Sequence, residues 1–179
     1  MELVGRRIRL KRLMPEDLSQ MVVWNCDNEV QFYVDCDLPG NLRELKQWYE
    51  TSVSDPNYRI YVIQTLAGKT IGDLELDHIC WSKREAEIRI RIGVKELWGQ
   101  GYGREALRLI LENFLVTRKF TRIYLRVYHF NQRAIRCYSK IGFRRVGILK
   151  RKCPHWKNII LMEISREQFL QLNKIPMVG

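Results

Sequence analysis

A glycine-rich run from Gly99 to Arg104 constrains the fold of this sequence most, because it joins two segments of different periodicity. Apolar residues alternate with charged ones from Glu87 to Val94, which predicts a β-strand, and they recur at helical spacing from Arg104 to Leu115. Glycines let a backbone approach a ligand closely, and the first turn of a helix exposes unpaired N–H groups at the positive end of its dipole. The three segments together predict an anion site, with pyrophosphate as the expected ligand.

A dinucleotide-binding fold is the main alternative for this glycine pattern. Lys95 to Trp98 separate the predicted strand from the first glycine, and Arg104 stands where the third glycine is expected. A dinucleotide site also needs an acidic residue about 20 positions further on to bind the ribose. That region holds Arg118, Lys119, Arg122 and Arg126 instead. These departures disfavour a dinucleotide site.

A second segment, from Asn131 to Phe143, follows another strand-like run and has the end signals of a helix. Asn131 is a natural N-cap and Gly142 a natural C-terminal stop. With the glycine-rich run, this segment resembles the acetyl-CoA-binding core of the GNAT superfamily of N-acetyltransferases, whose second hallmark reads N-x-x-A-x-x-x-Y-x-K-x-G-F. The sequence matches that hallmark at Asn131, Ala134, Tyr138, Lys140, Gly142 and Phe143.

The resemblance covers almost the whole chain and looks like the branch that includes ribosomal-protein N-terminal alanine acetyltransferases and polyamine acetyltransferases. The segments that carry it are Gly5 to Leu10, Pro15 to Asp17, Trp24, Asp27 to Val30 and Ile160 to Met162. Two residues depart from the pattern. Trp98 stands where the superfamily often has Arg or Gln, and Asn158 stands where related chains commonly have Asp.

The resemblance implies one N-acetyltransferase domain over residues 1–179, with an acetyl-CoA-binding core at about 86–145. Its fold would be the mixed α/β GNAT fold, a twisted mixed sheet of about seven strands flanked by about four helices, in the order βααβββαβαββ. The periodicity agrees. It predicts a first strand at Val4 to Leu13, a helix at Leu42 to Ser52, and a hairpin of Tyr58 to Thr65 with Thr70 to Asp77.

The resemblance also implies acetyl-CoA as the cofactor and direct transfer of its acetyl group to a primary amine, without a metal or an acyl-enzyme. The N–H groups of Gly93 or Val94 are expected to meet the thioester oxygen, and glycine at position 93 is expected to permit a close ligand approach. The expected cofactor-binding residues are Ile92, Gly93, Val94, Gly99, Gln100, Gly101, Tyr102, Gly103, Arg104, Asn131, Arg133, Ala134, Tyr138 and Lys140.

Acetyl transfer to an amine needs a base for the amine and an acid for the departing thiolate. Tyr138 lies two helical turns after Asn131, so both side chains face the same way, and Tyr138 is the expected acid; an aromatic core position is its alternative. Glu87 is the expected base. Arg89 shares its side of the strand, so a structural ion pair is an equal alternative, with Asp73 and Glu75 as substitute bases.

Composition restricts the class of protein further. The 179 residues, 46% of them hydrophobic, suit one domain with a sizeable core. There is no run of about 18 apolar residues, so a signal peptide or a membrane span is not expected and the predicted location is cytoplasmic. The five cysteines form no CxxC pair and are expected to be reduced thiols. Cys153 and His155 lack a second ligand pair, so no metal is expected.

The positive charge is concentrated in one region. The formal net charge is +11, and the segment from Asn113 to Met162 contains thirteen Lys or Arg and no Asp or Glu. Such a region would attract the phosphates of CoA. Thirteen cations exceed what one cofactor needs, so residues 113–162 also suggest a contact with the ribosome or its RNA, with a solvated basic surface as the alternative.

The acceptor amine is the least determined feature. A protein N-terminal amine such as that of a ribosomal protein is the main prediction, and a polyamine or an aminoglycoside is the alternative, as is a non-catalytic acyl-CoA-binding or RNA-binding relative. Net positive charge disfavours cationic amines. Four carboxylates are nevertheless candidates for an acidic acceptor mouth: Asp35, Asp37, Glu44 and Glu50. The protein would be a monomer or a homodimer, paired through an exposed strand edge at Ile159 to Ile164.

Overall fold

The computed structural model describes residues 2–34, 38–152 and 157–174, and a single eight-stranded sheet runs through them. The strand order across the sheet is β1-β2-β3-β4-β5-β6-β8-β7. The strands are β1 (Leu3–Val4), β2 (Ile8–Arg12), β3 (Arg59–Thr65), β4 (Thr70–Cys80), β5 (Glu85–Ile92), β6 (Arg122–Tyr128), β7 (Arg144–Leu149) and β8 (Ile159–Ser165).

Six α-helices flank this sheet in the described part of the chain. They are α1 (Leu18–Asn25), α2 (Asn28–Phe32), α3 (Leu42–Ser54), α4 (Tyr102–Leu111), α5 (Gln132–Ile141) and α6 (Arg166–Asn173). Helix α4 continues into a π-helical turn at Glu112–Thr117. None of the helices among these residues is long and apolar enough to cross a membrane.

The mixed α/β fold is confirmed, with eight strands in place of about seven. The predicted first strand divides into β1 and β2, because the chain turns back at Gly5, whose N–H donates to the carbonyl oxygen of Ile8 at 2.8 Å. Two short helices were not predicted. Asp27 caps α2 by accepting from two backbone N–H groups, and Ser165 caps α6 in a capping box with Gln168.

Helices on both faces bury the sheet. Helices α4, α5 and α6 contribute to the larger core, which contains Leu107, Ile110 and Phe114. On the opposite face, α1 and α3 pack their apolar side chains, Met21 and Leu45 among them, against Ile60 and Val62 of β3.

The strands β5 and β6 form the one parallel pair among the described strands, and they separate after three residue pairs. The last pair is Glu87 with Tyr124, yet β5 continues to Ile92 and β6 to Tyr128. All other neighbouring strands are antiparallel. The sheet therefore opens between β5 and β6, next to the glycine-rich run.

The prediction of an exposed edge at Ile159 to Ile164 is wrong. Strand β8 lies between β6 and β7 and is paired with both of them in antiparallel fashion. The edge strand at this end is β7, which exposes the side chains of Val146, Ile148 and Leu149. Whether the protein is a monomer or a homodimer stays a prediction.

Candidate active site

A cavity of about 620 Å³ occupies the opening between β5 and β6. The glycine-rich run lines one end of it, Asn131 and Tyr138 line the middle, and buried carboxylates line the other end. Among the predicted site residues, all but Gly93 and Val94 contribute to this lining. The two hallmark segments of the sequence therefore meet in one cavity.

The glycine-rich run has the geometry of an anion cradle. Gly99 and Gly101 have φ angles of +77° and +86°, in the left-handed region that favours glycine. Helix α4 begins directly afterwards at Tyr102, so the N–H groups of its first turn have no partner within the helix. The side chains of Arg104 and Lys140 add positive charge to the lining. Backbone donors and cations of this kind fit the pyrophosphate of CoA.

Arg7, which the sequence reasoning missed, holds this loop from the turn between β1 and β2. Its Nη1 donates to the carbonyl oxygen of Gln100 at 3.0 Å, and its Nε donates to Glu105 Oε2 at 3.0 Å. Its guanidinium also lies 4.4 Å from the ring centroid of Tyr102. No local pattern points to this contact, because 93 positions separate Arg7 from Gln100 along the chain.

The backbone N–H groups that the sequence predicted for the thioester bond within the sheet. The N–H groups of Gly93 and Val94 both point to the carbonyl oxygen of Ile71 on β4, at 2.9 and 3.3 Å. Gly93 packs against the ring of Trp24 and does not line the cavity, so a close ligand approach does not explain this glycine. The structure thus engages both N–H groups within the sheet, and a contact of Gly93 or Val94 with the cofactor stays a prediction.

The register of β4 and β5 indicates which backbone groups of β5 face the opening. In an antiparallel pair, successive residues direct their backbone groups alternately toward and away from the partner strand. Since Gly93 bonds to β4, the groups of Ile88, Ile90 and Ile92 face the opening toward β6. The Ile92 carbonyl oxygen accepts from Trp98 Nε1 at 2.6 Å, which leaves the N–H groups of Ile90 and Ile92 for a ligand.

Asn131 and Tyr138 lie on the same side of α5, as predicted, and both are buried in the cavity wall. Asn131 caps the helix, since its Oδ1 accepts from the N–H of Ala134 at 3.2 Å, and its amide nitrogen is left for a ligand. Burial raises the pKa of Tyr138 above its usual value. The phenol is therefore a protonated donor throughout the physiological pH range.

Charged side chains on β4 and β5 form a ladder across the acceptor end of the cavity. Register places Asp73 opposite Arg91, Glu75 opposite Arg89, and Asp77 opposite Glu87. Arg91 Nε donates to Asp73 at 2.8 Å, and Arg89 Nη2 donates to Asp77 at 2.6 Å. Arg89 Nη1 approaches Glu75 at 3.3 Å. Asp73, Glu75 and Glu87 are all buried and all line the cavity.

Glu87, the expected base, lies where β5 and β6 separate and has two arginines and a histidine near its carboxylate. Arg126 Nε donates to its Oε1 at 2.8 Å. Arg89 Nε and His78 Nδ1 lie 3.7 Å from its carboxylate oxygens. These contacts favour the ion-pair alternative for Glu87, and its role as the base stays a prediction.

Trp98, one of the two departures from the family pattern, fixes the end of β5 and stacks on Arg133. The Arg133 guanidinium carbon lies 3.8 Å from the Trp98 ring centroid and 5.0 Å from that of Tyr33. The cation–π contacts tie α5 to the segment after α2 at the rim of the cavity. Arg133 thus lines the site as predicted, with its cation held by two aromatic rings.

Part of the positive charge of residues 113–162 is paired with carboxylates or lines the cavity. Arg122 pairs with Glu85 and Glu163 at 2.8 Å each, and Arg126 pairs with Glu87. Arg133, Arg136 and Lys140 line the cavity. The contact with RNA stays a prediction.

Two other sequence predictions lie wholly or partly beyond the described residues. Asp35 and Asp37 of the acidic mouth, and the Cys153 and His155 pair, fall outside them, while Glu44 and Glu50 are exposed on α3. Cys137, the one thiol in the cavity wall among described residues, is half-buried, and burial raises its pKa. A raised thiol pKa favours a packing role over a nucleophile.

Comparison with known proteins identifies the family. The family model described as Acetyltransferase (GNAT) domain matches residues 7–144. The chain belongs to the GNAT acetyltransferase family. It is an acetyl-CoA-dependent N-acetyltransferase, so the expected enzyme class and cofactor are confirmed.

Relatives of this GNAT enzyme include spermidine acetyltransferases. It is 30% identical over 136 residues to spermidine N(1)-acetyltransferase of Escherichia coli strain K12, which covers 74% of this chain and 72% of the relative. An uncharacterized N-acetyltransferase, YokL, from the SPbeta prophage of Bacillus subtilis strain 168 is 22% identical over 149 residues, 82% of this chain and 81% of that protein.

A solved structure with the same fold is the spermidine N-acetyltransferase of Vibrio cholerae in complex with CoA and spermine. It superposes with a TM-score of 0.84 at 25% identity, over 91% of this chain and 98% of that chain. The GNAT fold of the present enzyme and its place near the polyamine acetyltransferases are thereby confirmed.

Proposed function

We propose that this enzyme transfers the acetyl group of acetyl-CoA to a primary amine of an aliphatic polyamine. One observation carries the proposal: the cavity that contains the cofactor cradle and Tyr138 ends in three buried carboxylates, Asp73, Glu75 and Glu87. A buried carboxylate attracts an ammonium group more strongly than an exposed one does. The names of the relatives, which include spermidine N(1)-acetyltransferase, support the same class of acceptor.

The overall positive charge does not oppose this proposal. Salt screens charges over about 8 to 10 Å, so an amine that has entered the cavity interacts mainly with the groups that line it. Three of the cations that line the cavity are paired with carboxylates: Arg91 with Asp73, Arg89 with Asp77, and Arg126 with Glu87. Glu75 is a further carboxylate that lines the cavity.

The residues present fit the cofactor and divide the reaction among them. Acetyl-CoA supplies an activated acetyl thioester when it is bound. We assign its pyrophosphate to the cradle from Gly99 to Arg104 and its pantetheine amides to Asn131 and the exposed backbone of β5. The N–H groups of Ile90 and Ile92 would stabilise the oxygen on which negative charge develops. Tyr138 would protonate the departing thiolate, and its raised pKa keeps the phenol protonated until that step.

The α-amino group of a protein is a second candidate acceptor, favoured by Arg91. Its Nη2 is buried and lies 2.7 Å from Asp73 Oδ2, yet it lacks a hydrogen-bond partner of good geometry within the described residues. A protein N-terminus would bring a carbonyl oxygen close to the reacting amine. That oxygen would accept a hydrogen bond from Arg91, whereas a polyamine has no such acceptor.

Release of CoA from acetyl-CoA tests the two candidates directly. The enzyme is offered, separately, polyamines, aminoglycosides and peptides with the N-termini of ribosomal proteins, and the products are identified by mass spectrometry. We expect acetylated polyamine, with turnover well above the hydrolysis of acetyl-CoA alone. Turnover with the peptides alone would overturn the polyamine proposal and favour the Arg91 alternative. The Tyr138→Phe variant serves as the control for catalysis.

A further inference from the structure

We propose that Glu75 is the general base that accepts a proton from the acceptor amine. This inference rests on the proposed amine acetylation and names the residue that prepares the acceptor. Its support is the position of Glu75 in the cavity and its contacts with the groups around it.

Glu75 lies on β4 in the wall that faces the acceptor end of the cavity. Its side chain is 5% exposed, so the carboxylate is shielded from bulk water, yet it lines the same cavity as Tyr138. In this proposal Glu75 serves the amine and Tyr138 serves the sulfur, from two positions in the wall of one cavity. Hydrogen bonding from the hydroxyl of Tyr58, just before β3, lowers the pKa of the Glu75 carboxyl and so favours its ionised form.

The three buried carboxylates of the cavity differ in how strongly arginine neutralises them. Asp73 receives two nitrogens of Arg91 at 2.8 and 2.7 Å, and Glu87 receives Arg126 Nε at 2.8 Å. Glu75 is approached by Arg89 at 3.3 Å, and Arg89 places its shorter contact, 2.6 Å, on Asp77. Glu75 is thus the buried carboxylate whose charge is least satisfied by a neighbouring cation.

The charged surroundings of Glu75 also raise its basicity. Burial raises the pKa of Glu75, and the neighbouring charge of Asp73 raises it further; the hydrogen bond from Tyr58 and the charges of Arg89 and Arg91 act in the opposite direction, and the net shift is upward. A carboxylate with a raised pKa takes a proton more readily from an ammonium group.

The proton balance of the step is complete. An ammonium group gives one proton to Glu75, and the freed nitrogen lone pair forms the C–N bond with the acetyl carbon. The C–S bond then breaks, Tyr138 gives its proton to the sulfur, and the second nitrogen proton restores the Tyr138 hydroxyl. Glu75 finally returns its proton to water. One proton is thus released for each acetylated amine.

The decisive experiment compares Glu75→Gln with Glu87→Gln, since each removes one buried carboxylate from the same cavity without changing its size. With a polyamine at saturation, we expect Glu75→Gln to lower kcat by about 10²- to 10⁴-fold, the usual contribution of a general base. It should also abolish the fall of kcat toward acidic pH. Glu87→Gln should keep that acidic limb. Loss of the limb in Glu87→Gln alone would overturn the inference.

An acceptor that needs no base separates catalysis from structure. An alkoxyamine is already unprotonated at neutral pH, so Glu75→Gln should acetylate it nearly as fast as the wild-type enzyme does, whereas Tyr138→Phe should remain slow. An equal loss with both acceptors would show that Glu75 is structural. If Glu75→Gln fails to fold, Tyr58→Phe provides the test.

Tyr58→Phe removes a hydrogen bond that lowers the pKa of Glu75, so the acidic limb should move to higher pH. If the acidic limb of the pH profile does not move, the assignment of Glu75 as the base is contradicted.

Failure of the proposed function gives a different result. If the wild-type enzyme acetylates a peptide N-terminus and no polyamine, the polyamine proposal fails. The Glu75→Gln and Glu87→Gln variants are then compared with that peptide as the acceptor, so the role of Glu75 is still tested.

Discussion

The indole ring of Trp24 occupies the space beside Gly93 in which any other residue would place its Cβ. A Cβ built on Gly93 would lie 2.1 Å from Trp24 Cδ2 and 2.2 Å from Cε2, far inside van der Waals contact. Trp24 is itself buried in the core between α1, α3 and the sheet. The glycine at the end of β5 therefore exists because a tryptophan from α1 packs directly on the backbone.

Gly93→Ala should destabilise the protein and displace the end of β5. Overpacking of this kind costs about 1 to 3 kcal/mol. Because β5 carries the donors assigned to the thioester, we also expect lower turnover. The measurements are urea unfolding and CoA release. Gly147→Ala on β7 is the matched control, since its Cβ would lie 3.5 Å from the nearest atom of Leu161. Equal free energies of unfolding for the two variants would show that the Trp24 ring moves aside at little cost.

Arg7→Ala should weaken the binding of acetyl-CoA more than it slows the chemical step. The substitution removes the hydrogen bond to Gln100, the ion pair with Glu105 and the contact with the Tyr102 ring. The cradle would then lose the contacts that fix it before the ligand arrives, so KM for acetyl-CoA should rise while kcat changes less. Steady-state kinetics with varied acetyl-CoA measure both.

Two further variants sharpen the test of Arg7. Arg7→Lys should not restore binding, because an ammonium group lacks the planar fork that makes the three contacts. Arg9→Ala, on the neighbouring strand, removes a surface pair with Glu2 and should leave KM unchanged. A rise in KM for Arg9→Ala as large as that for Arg7→Ala would indicate a general charge effect.

The local parts of the site were predictable from the sequence. The left-handed glycines, the Asn131 cap and the shared face of Asn131 and Tyr138 depend on neighbouring residues and on helical periodicity. Those signals are present within each hallmark segment. The cavity between the segments follows once the strand, the two helices and their order are known.

The parts that were missed depend on contacts between distant segments. Arg7 reaches the cradle from the first turn of the sheet, and Trp24 reaches Gly93 from α1. The thioester donors follow from the register of β4 with β5, which the alternation of side chains does not reveal. In the order β6-β8-β7 the last two strands are exchanged relative to their order along the chain, so β8 is not at the edge of the sheet. Sequence periodicity identifies strands but does not order them across a sheet.

Tyr138→Phe should lower turnover at least tenfold while acetyl-CoA binding is retained, because the ring and its packing survive and only the proton donor is lost. Calorimetric titration measures the binding and CoA release measures the turnover. Since burial raises the pKa of Tyr138, the wild-type enzyme should show no loss of activity from its ionisation up to about pH 10, the ordinary tyrosine value. Unchanged turnover in the variant would remove Tyr138 from the mechanism.

Asp73→Asn should cost more stability than any other single change to the charge ladder. Arg91 and Asp73 have side chains that are 6% and 5% exposed, and Asn25 also accepts a hydrogen bond from Arg91. Removal of the carboxylate leaves a buried guanidinium without its counter-charge, which typically costs about 3 to 5 kcal/mol. Urea unfolding at pH 7 measures this loss.

The double variant Asp73→Leu with Arg91→Leu isolates the cause. An apolar pair of similar volume needs no counter-charge, so the double variant should recover most of the stability that Asp73→Asn loses. Lys11→Ala, which removes the counter-ion of Asp17 from a more exposed pair, should cost no more than about 1 kcal/mol. If the double variant is as unstable as Asp73→Asn, then packing at this position, rather than an unpaired charge, sets the loss. If it is stable but acetylates peptide N-termini more slowly, Arg91 acts on the acceptor and not on the fold.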